Sequence, residues 1–186
     1  MGSFAGIYKS FVAALVLGIG ISLPVAAQDV DIGELLADLA DPATENWQTI
    51  ERQILKEWEK SGSASMDLLL QRGLKALEAG ELDAAIEHFT ALTDHAPDFA
   101  EGWNGRATAL FRKQMYGPAI EDIGRVLALN PNHFGAMIGL AVILEETGHD
   151  KDALEVWRIL ETINPHRPEL KDAIIKLELA TEGTTI

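Results

Sequence analysis

The residues that could carry chemistry in this chain are its five histidines and its many carboxylates. His88 and His95 are seven positions apart. On one helix they share a face but stand ~10.5 Å apart along its axis, too far to hold one ion. Glu145 and His149 have the spacing of a helix-borne metal pair, with Gly148 breaking the helix between them. His133 and His166 fall in separate turns. Residues Asp29 to Glu34 begin like a calcium loop. Glu34, however, stands where that loop needs glycine, and Ala40 where it needs a bidentate glutamate. No metal site and no cofactor are expected. The nucleophile patterns G-x-S-x-G and S-x-x-K are absent, as are the phosphate-cradling G-x-x-x-x-G-K-[ST] and G-x-G-x-x-G. Without cysteine there is no disulfide, thiol nucleophile or cysteine-linked lipid. No catalytic residues assemble, and the chain is expected not to be an enzyme.

The charge balance narrows the partners. In 186 residues, 15 Lys and Arg face 29 Asp and Glu, a formal charge of −14. Such a field repels phosphate backbones, so no nucleic acid is expected as partner. A hydrophobic fraction of 47% suits a folded chain of about one domain.

Residues 1–27 resemble a secretory leader. Lys9 lies in a weakly basic start, Phe11 to Leu23 is uncharged and apolar, and Pro24 precedes Val25-Ala26-Ala27. Small residues at 25 and 27 set up cleavage after Ala27. The rival reading is an uncleaved anchor, but the apolar run would reach only about 20 Å of a ~30 Å hydrocarbon core. The expectation is an exported protein with no stable membrane span after cleavage, periplasmic if the source is bacterial, with secretion as the alternative.

What must position any functional side chain is a repeat. Pro97, Pro131 and Pro165 are spaced by 34, as are Ala85, Ala119 and Ala153, and Phe89, Ile123 and Trp157. Four columns in one register, the last being Leu92, Val126 and Leu160, define units 66–99, 100–133 and 134–167. Each unit reads as two helices. Leu69, Leu70, Gly73, Leu74 and Leu77 form one stripe, stopped by Gly80. Residues from about Glu81 to His95 form the second helix, and Pro97 ends it. Asp98 with Glu101 is expected to cap the next helix, and Asn132 to do so one repeat later. Unit two has Gln114 in place of Gly80, and Gly117-Pro118 marks its turn. Gly73, Ala107 and Ala141 are small where paired helices meet. One pair cannot cover its own apolar face, so neighbours must stack.

These columns resemble the tetratricopeptide repeat. Unit one carries Gly73, Ala85, Phe89 and Pro97 of its signature; unit two carries Trp103, Ala119 and Pro131, with Ala107 as a substitute. Unit three carries Leu140, Ala153 and Pro165, with Trp157 as an aromatic substitute. The signature tyrosine is missing, with Ala76, Leu110 and Leu144 in its place. The whole is similar to small exported tetratricopeptide proteins of Gram-negative bacteria. The resemblance implies an all-α, right-handed solenoid of three helical hairpins. Segment 28–64 would be an acidic N-terminal extension with an amphipathic helix, and 168–186 a capping helix and tail. It also implies that the first helix of each unit lines a concave, peptide-binding face. Those positions are Asp67, Leu70, Leu74, Leu77 and Glu78, then Glu101, Asn104, Thr108, Phe111 and Arg112, then Gly135, Ile138, Val142, Glu145 and Glu146. The Lys, Asn and Arg clamp of chaperone-binding relatives is missing, with only Asn104 and Arg112 comparable.

The implied function is a non-catalytic envelope scaffold that binds a protein or peptide segment with apolar anchors and basic character. The alternatives are an envelope enzyme or accessory subunit with its site in the flanks, or a self-association module. The oligomeric state is left open. Also open is the role of Trp47, Ile50, Ile54 and Trp58, a stripe starting after Asp41-Pro42. This 42–60 helix either covers Leu70, Leu74 and Leu77 or leaves them free, and its tryptophans either pack or bind.

Overall fold

The computed structural model describes residues 30–182, so the expected leader and the expected cleavage after Ala27 lie outside the described residues. Those residues form nine α-helices and no strand. α1 is Ile32–Ala40, α2 Trp47–Trp58, α3 Ala64–Glu78, α4 Leu82–His95 and α5 Ala100–Arg112. α6 is Tyr116–Leu129, α7 Phe134–Glu146, α8 Asp150–Ile163 and α9 Pro168–Glu182.

The repeat is reproduced in the backbone. α4, α6 and α8 end two residues before Pro97, Pro131 and Pro165, and the intervening Ala96, Asn130 and Asn164 leave the helical region, with φ of −136°, −139° and −147°. Proline disfavours helix in the residue before it and offers no N–H to continue one. Between the helices of each pair the chain turns through Gly80, Gln114 and Gly148, at φ of 76°, 59° and 76°. Gln114 thus occupies the left-handed conformation that glycine fills in the other two units. The turn of unit two sits there, and Gly117 and Pro118 belong to the first turn of α6.

Successive first helices touch, α3 with α5 and α5 with α7, whereas second helices pack on the following first helix and not on one another. The array therefore curves with α3, α5 and α7 inside. Ala85, Ala119 and Ala153 are wholly buried where helices cross. Phe89, Ile123 and Trp157 fill the spaces between pairs. Leu140 is half-buried against the middle cluster, and Leu170, Ile174 and Leu177 of α9 close the array's last cluster.

Three local expectations are corrected. Asp98 does not cap α5: the cap residue is Phe99, without a side-chain bond, and Glu101 turns instead to His133. Nor does Asn132 cap α7. His133 takes that place, its Nδ1 accepting from the Ala136 N–H at 3.1 Å. Asp41-Pro42 does not begin a helix. Asp41 ends α1, donating its N–H to the Asp38 carbonyl, and α2 begins at Trp47.

The N-terminal extension does not cover repeat one. α1, capped by Asp31, buries Leu39 against the third pair, and α2 lies along the inter-repeat turns as a strap. Trp47 stacks on His166 at 5.7 Å and Trp58 on His133 at 4.9 Å, while Phe134 meets Trp58 at 5.0 Å. Between them Glu51 accepts from Arg167 at 2.7 Å and Asn164 at 2.6 Å. Trp47, Glu51, Ile54 and Trp58 fall on one face at ~100° per residue, which explains the clasp. Trp58→Ala should cost less than the ~3–5 kcal/mol of a fully buried tryptophan, because Trp58 is only half-buried. Hydrogen exchange should rise first in α2; unchanged exchange there would show that the stack does not hold the strap.

Candidate functional site

The inner face is built from one side of α3, α5 and α7. Its residues divide into three groups. Leu70 is 1% exposed and belongs to the core of repeat one, beside Phe89 and Leu92, away from the cleft between α5 and α7. Leu74 and Leu77 are half-buried and Glu78 exposed, untouched by the strap that sequence left as a possible cover. The third group gathers into a cleft of about 240 Å³ between α5 and α7. Asn104, Thr108, Phe111, Gly135, Ile138 and Val142 line its mouth and walls, and its floor reaches core atoms of Ala107, Ile123, Ala136 and Ile143.

The polar groups of this face are already partnered within the chain. Asn104 Nδ2 donates to Glu101 at 3.3 Å, and the other Glu101 oxygen lies 2.8 Å from His133 Nε2. Because His133 Nδ1 accepts from a backbone N–H, Nε2 is the nitrogen that donates to Glu101. Thr108 Oγ1 donates to the Asn104 carbonyl at 2.9 Å. Arg112, expected as a central cation of the groove, instead donates to the Leu77 carbonyl at 2.5 Å and caps the end of α3. Glu145 accepts from Trp157 Nε1 and from Lys176 Nζ, each at 2.8 Å, and Glu146 accepts from the Tyr116 hydroxyl at 2.6 Å. Hydrogen bonding to Glu146 raises the Tyr116 pKa, and hydrogen bonding to Glu145 raises that of Lys176. Asp67 donates nothing to the groove: its carboxylate accepts from the Ser61 N–H and hydroxyl, which lowers its pKa.

Beside this face, at the strap's end, burial and the charge on Glu101 push the Glu59 carboxyl above its usual range. The arrangement is an apolar cleft with an acidic margin. Among the described residues no three His, Asp or Glu side chains gather as a metal site, and no helix is long and apolar enough to cross a membrane.

Sequence reasoning missed two features here. Arg106 and Asp122 form a bidentate, largely buried ion pair, with 2.7 Å contacts from Nε and Nη2. Trp103, a signature position, packs half-buried on the middle cluster; its Nε1 donates to the Pro97 carbonyl, and the guanidiniums of Arg106 and Arg125 lie over its ring. The clue to the second was present in the spacing, since Trp103 and Arg106 are three apart on one helix.

Residues 70–122 match the tetratricopeptide repeat family. A TPR repeat-containing protein of Rhizobium etli is 39% identical over 117 residues, covering 63% of this chain and 57% of that protein. The human PEX5-related protein is 32% identical over 95 residues, covering 51% of this chain and 15% of its own length. The chain thus spans little more than half of the first relative and a small part of the second. Among solved structures, the first TPR of Spaghetti (RPAP3) bound to HSP90 peptide SRMEEVD superposes with a TM-score of 0.60 at 22% identity, covering 63% of this chain and 93% of that one. MamA superposes with a TM-score of 0.56 at 18% identity, covering 81% of this chain and 82% of that one. At those identities the likeness is one of fold. With its helix pairs stacked in 34-residue register and a family match over residues 70–122, this chain contains tetratricopeptide repeats.

Proposed function

We propose that this protein is a non-catalytic scaffold of the cell envelope that holds a segment of a partner protein against the inner face of α5 and α7. The observation that carries this reading is the cleft itself: a concave apolar surface open between two helices whose polar neighbours are otherwise satisfied. A solved tetratricopeptide domain with the same fold carries a bound peptide, which supports peptide binding as the role of this chain. The leader-like 1–27 and the small residues before Gln28 support an exported setting, periplasmic or secreted. A chain charge of −14 favours a partner segment with basic character, drawn in by long-range attraction, over nucleic acid.

The test is the double change Asn104→Ala with Phe111→Ala, measured on a partner recovered from the native envelope by crosslinking. Binding should fall at least about tenfold, the equivalent of ~1.4 kcal/mol, while the circular-dichroism melt stays cooperative. Undiminished binding by a folded double variant would move the site to the flanking segments.

A further inference from the structure

The cleft owes its depth to what α7 lacks. Gly135 and Gly139, one turn apart, both line it. In repeat one the corresponding positions are Asp67 and Gln71; in repeat two they are Glu101 and Gly105. At Gly105 the missing side chain is replaced by the ring of Phe89, so no space remains there. At Gly139 nothing takes its place: an added Cβ would first meet Ile123 Cδ1 at 3.6 Å, ordinary contact. The result is a pit in the inner face, walled by Phe111, Ile138 and Val142.

A volume of about 240 Å³ is smaller than the ~300–1,000 Å³ that encloses a whole small-molecule ligand. It suits a side chain delivered by a larger partner. None of the residues lining the pit is Lys or Arg, and the nearby Arg112 is committed to the Leu77 carbonyl. A chain-terminal carboxylate would therefore find no cation there. The surroundings have the opposite character: Glu59, Glu101 and Glu146 border this face, on a chain of charge −14.

Resting on the concave-face reading above, we propose that the pit seats one bulky apolar side chain, leucine or phenylalanine. It would be carried on an internal partner segment with Lys or Arg flanking that anchor, and the partner's terminus is not read. The anchor gives affinity by leaving water, and the flanking cations meet the acidic margin at longer range.

The experiment uses the full chain and two variants. Gly139→Leu fills the pit from within, and Thr108→Arg brings a cation over its exposed mouth. Both are first checked by circular-dichroism melting; Thr108→Arg, at an exposed position, covers the case in which Gly139→Leu misfolds. Short random peptides are displayed on phage in two formats, one with both ends joined to the coat protein and one with a free C-terminus. Selection on the unmodified chain should enrich sequences with one Leu or Phe flanked by Lys or Arg in the closed format, and both variants should abolish that enrichment. For a selected peptide, replacing the apolar anchor with Ala should weaken binding ~10- to 100-fold. Replacing its cations with Glu should weaken it too, with wild-type binding declining as salt rises. Pit-dependent peptides that are acidic, or that need a free C-terminus, would overturn this inference while leaving the concave-face reading intact. Selection of no peptide sensitive to either variant would overturn both.

Discussion

Truncating Phe89 to alanine is expected to cost about 3–5 kcal/mol, enough to lower the melting temperature by about 6–20 °C in a chain of this size. Phe89 is wholly buried and its ring lies between two helices that come close only because each has a glycine facing it. A Cβ on Gly73 would stand 2.5 Å from the ring, and one on Gly105 nearer still. Two pairs of helices thus close on one side chain, and a void there cannot collapse without moving α3 or α5. The converse substitution gives a sharper check. Gly105→Ala should cost about 1–3 kcal/mol by overpacking. On a Phe89→Leu background the same change should cost much less, because the ring it strikes is gone. Equal costs in both backgrounds, measured by urea denaturation, would contradict the pinch.

Asp122→Ala should be nearly as damaging, at about 3 kcal/mol, the lower end expected when a buried ion pair loses one partner. Asp122 side-chain exposure is 6% and that of Arg106 is 20%, so the stranded guanidinium has some access to water. The hydrogen bond to Asp122 raises the arginine pKa in the native chain; without it the guanidinium still stays protonated at any ordinary pH, so the cation will not discharge to escape. Weak contacts to Thr90 and Thr93, each at 3.4 Å, the Trp103 ring and the more distant charge of Asp94 remain to it. Removing both charges, with Arg106→Met and Asp122→Leu, should restore most of the loss. A double variant as unstable as the single would show that the pair is worth more than the desolvation of its members.

The helices were legible because their signals are local and repeated. Three alanines at a fixed interval, each wholly buried in the structure, placed every crossing of paired helices. The caps were not legible: Asp98 has the right residue type, but the first turn of α5 starts one residue later, and Glu101 finds a better donor in His133. Of the candidate groove, the family resemblance grouped Asn104, Thr108, Phe111, Gly135, Ile138 and Val142, yet it says nothing of Gly139 or of the space that the missing side chains of Gly135 and Gly139 leave. Leu70 was misplaced for a related reason, since periodicity assigns a face but not how deeply the neighbouring helix covers it. The strap's destination depends on partners far along the chain. Its one local clue is Glu51, a carboxylate on an otherwise apolar stripe, which had to meet a cation and does so at Arg167.

That strap changes the order in which the molecule can come together. A stack of repeats closes only short loops, because each pair meets its immediate neighbours. Here Glu51 bonds to Asn164 and Arg167, separated from it by 113 and 116 residues, and the Asp41 carbonyl accepts from His166 across 125. Loop closure on that scale must precede the contacts that reward it. The segment that leaves the ribosome before the repeats is therefore the one that docks after them, when the third pair exists to receive it. Once docked, it joins the two ends of an otherwise linear array, so α7 to α9 cannot fray on their own. Their slowest-exchanging amides should open together with those of α2, as one cooperative unit.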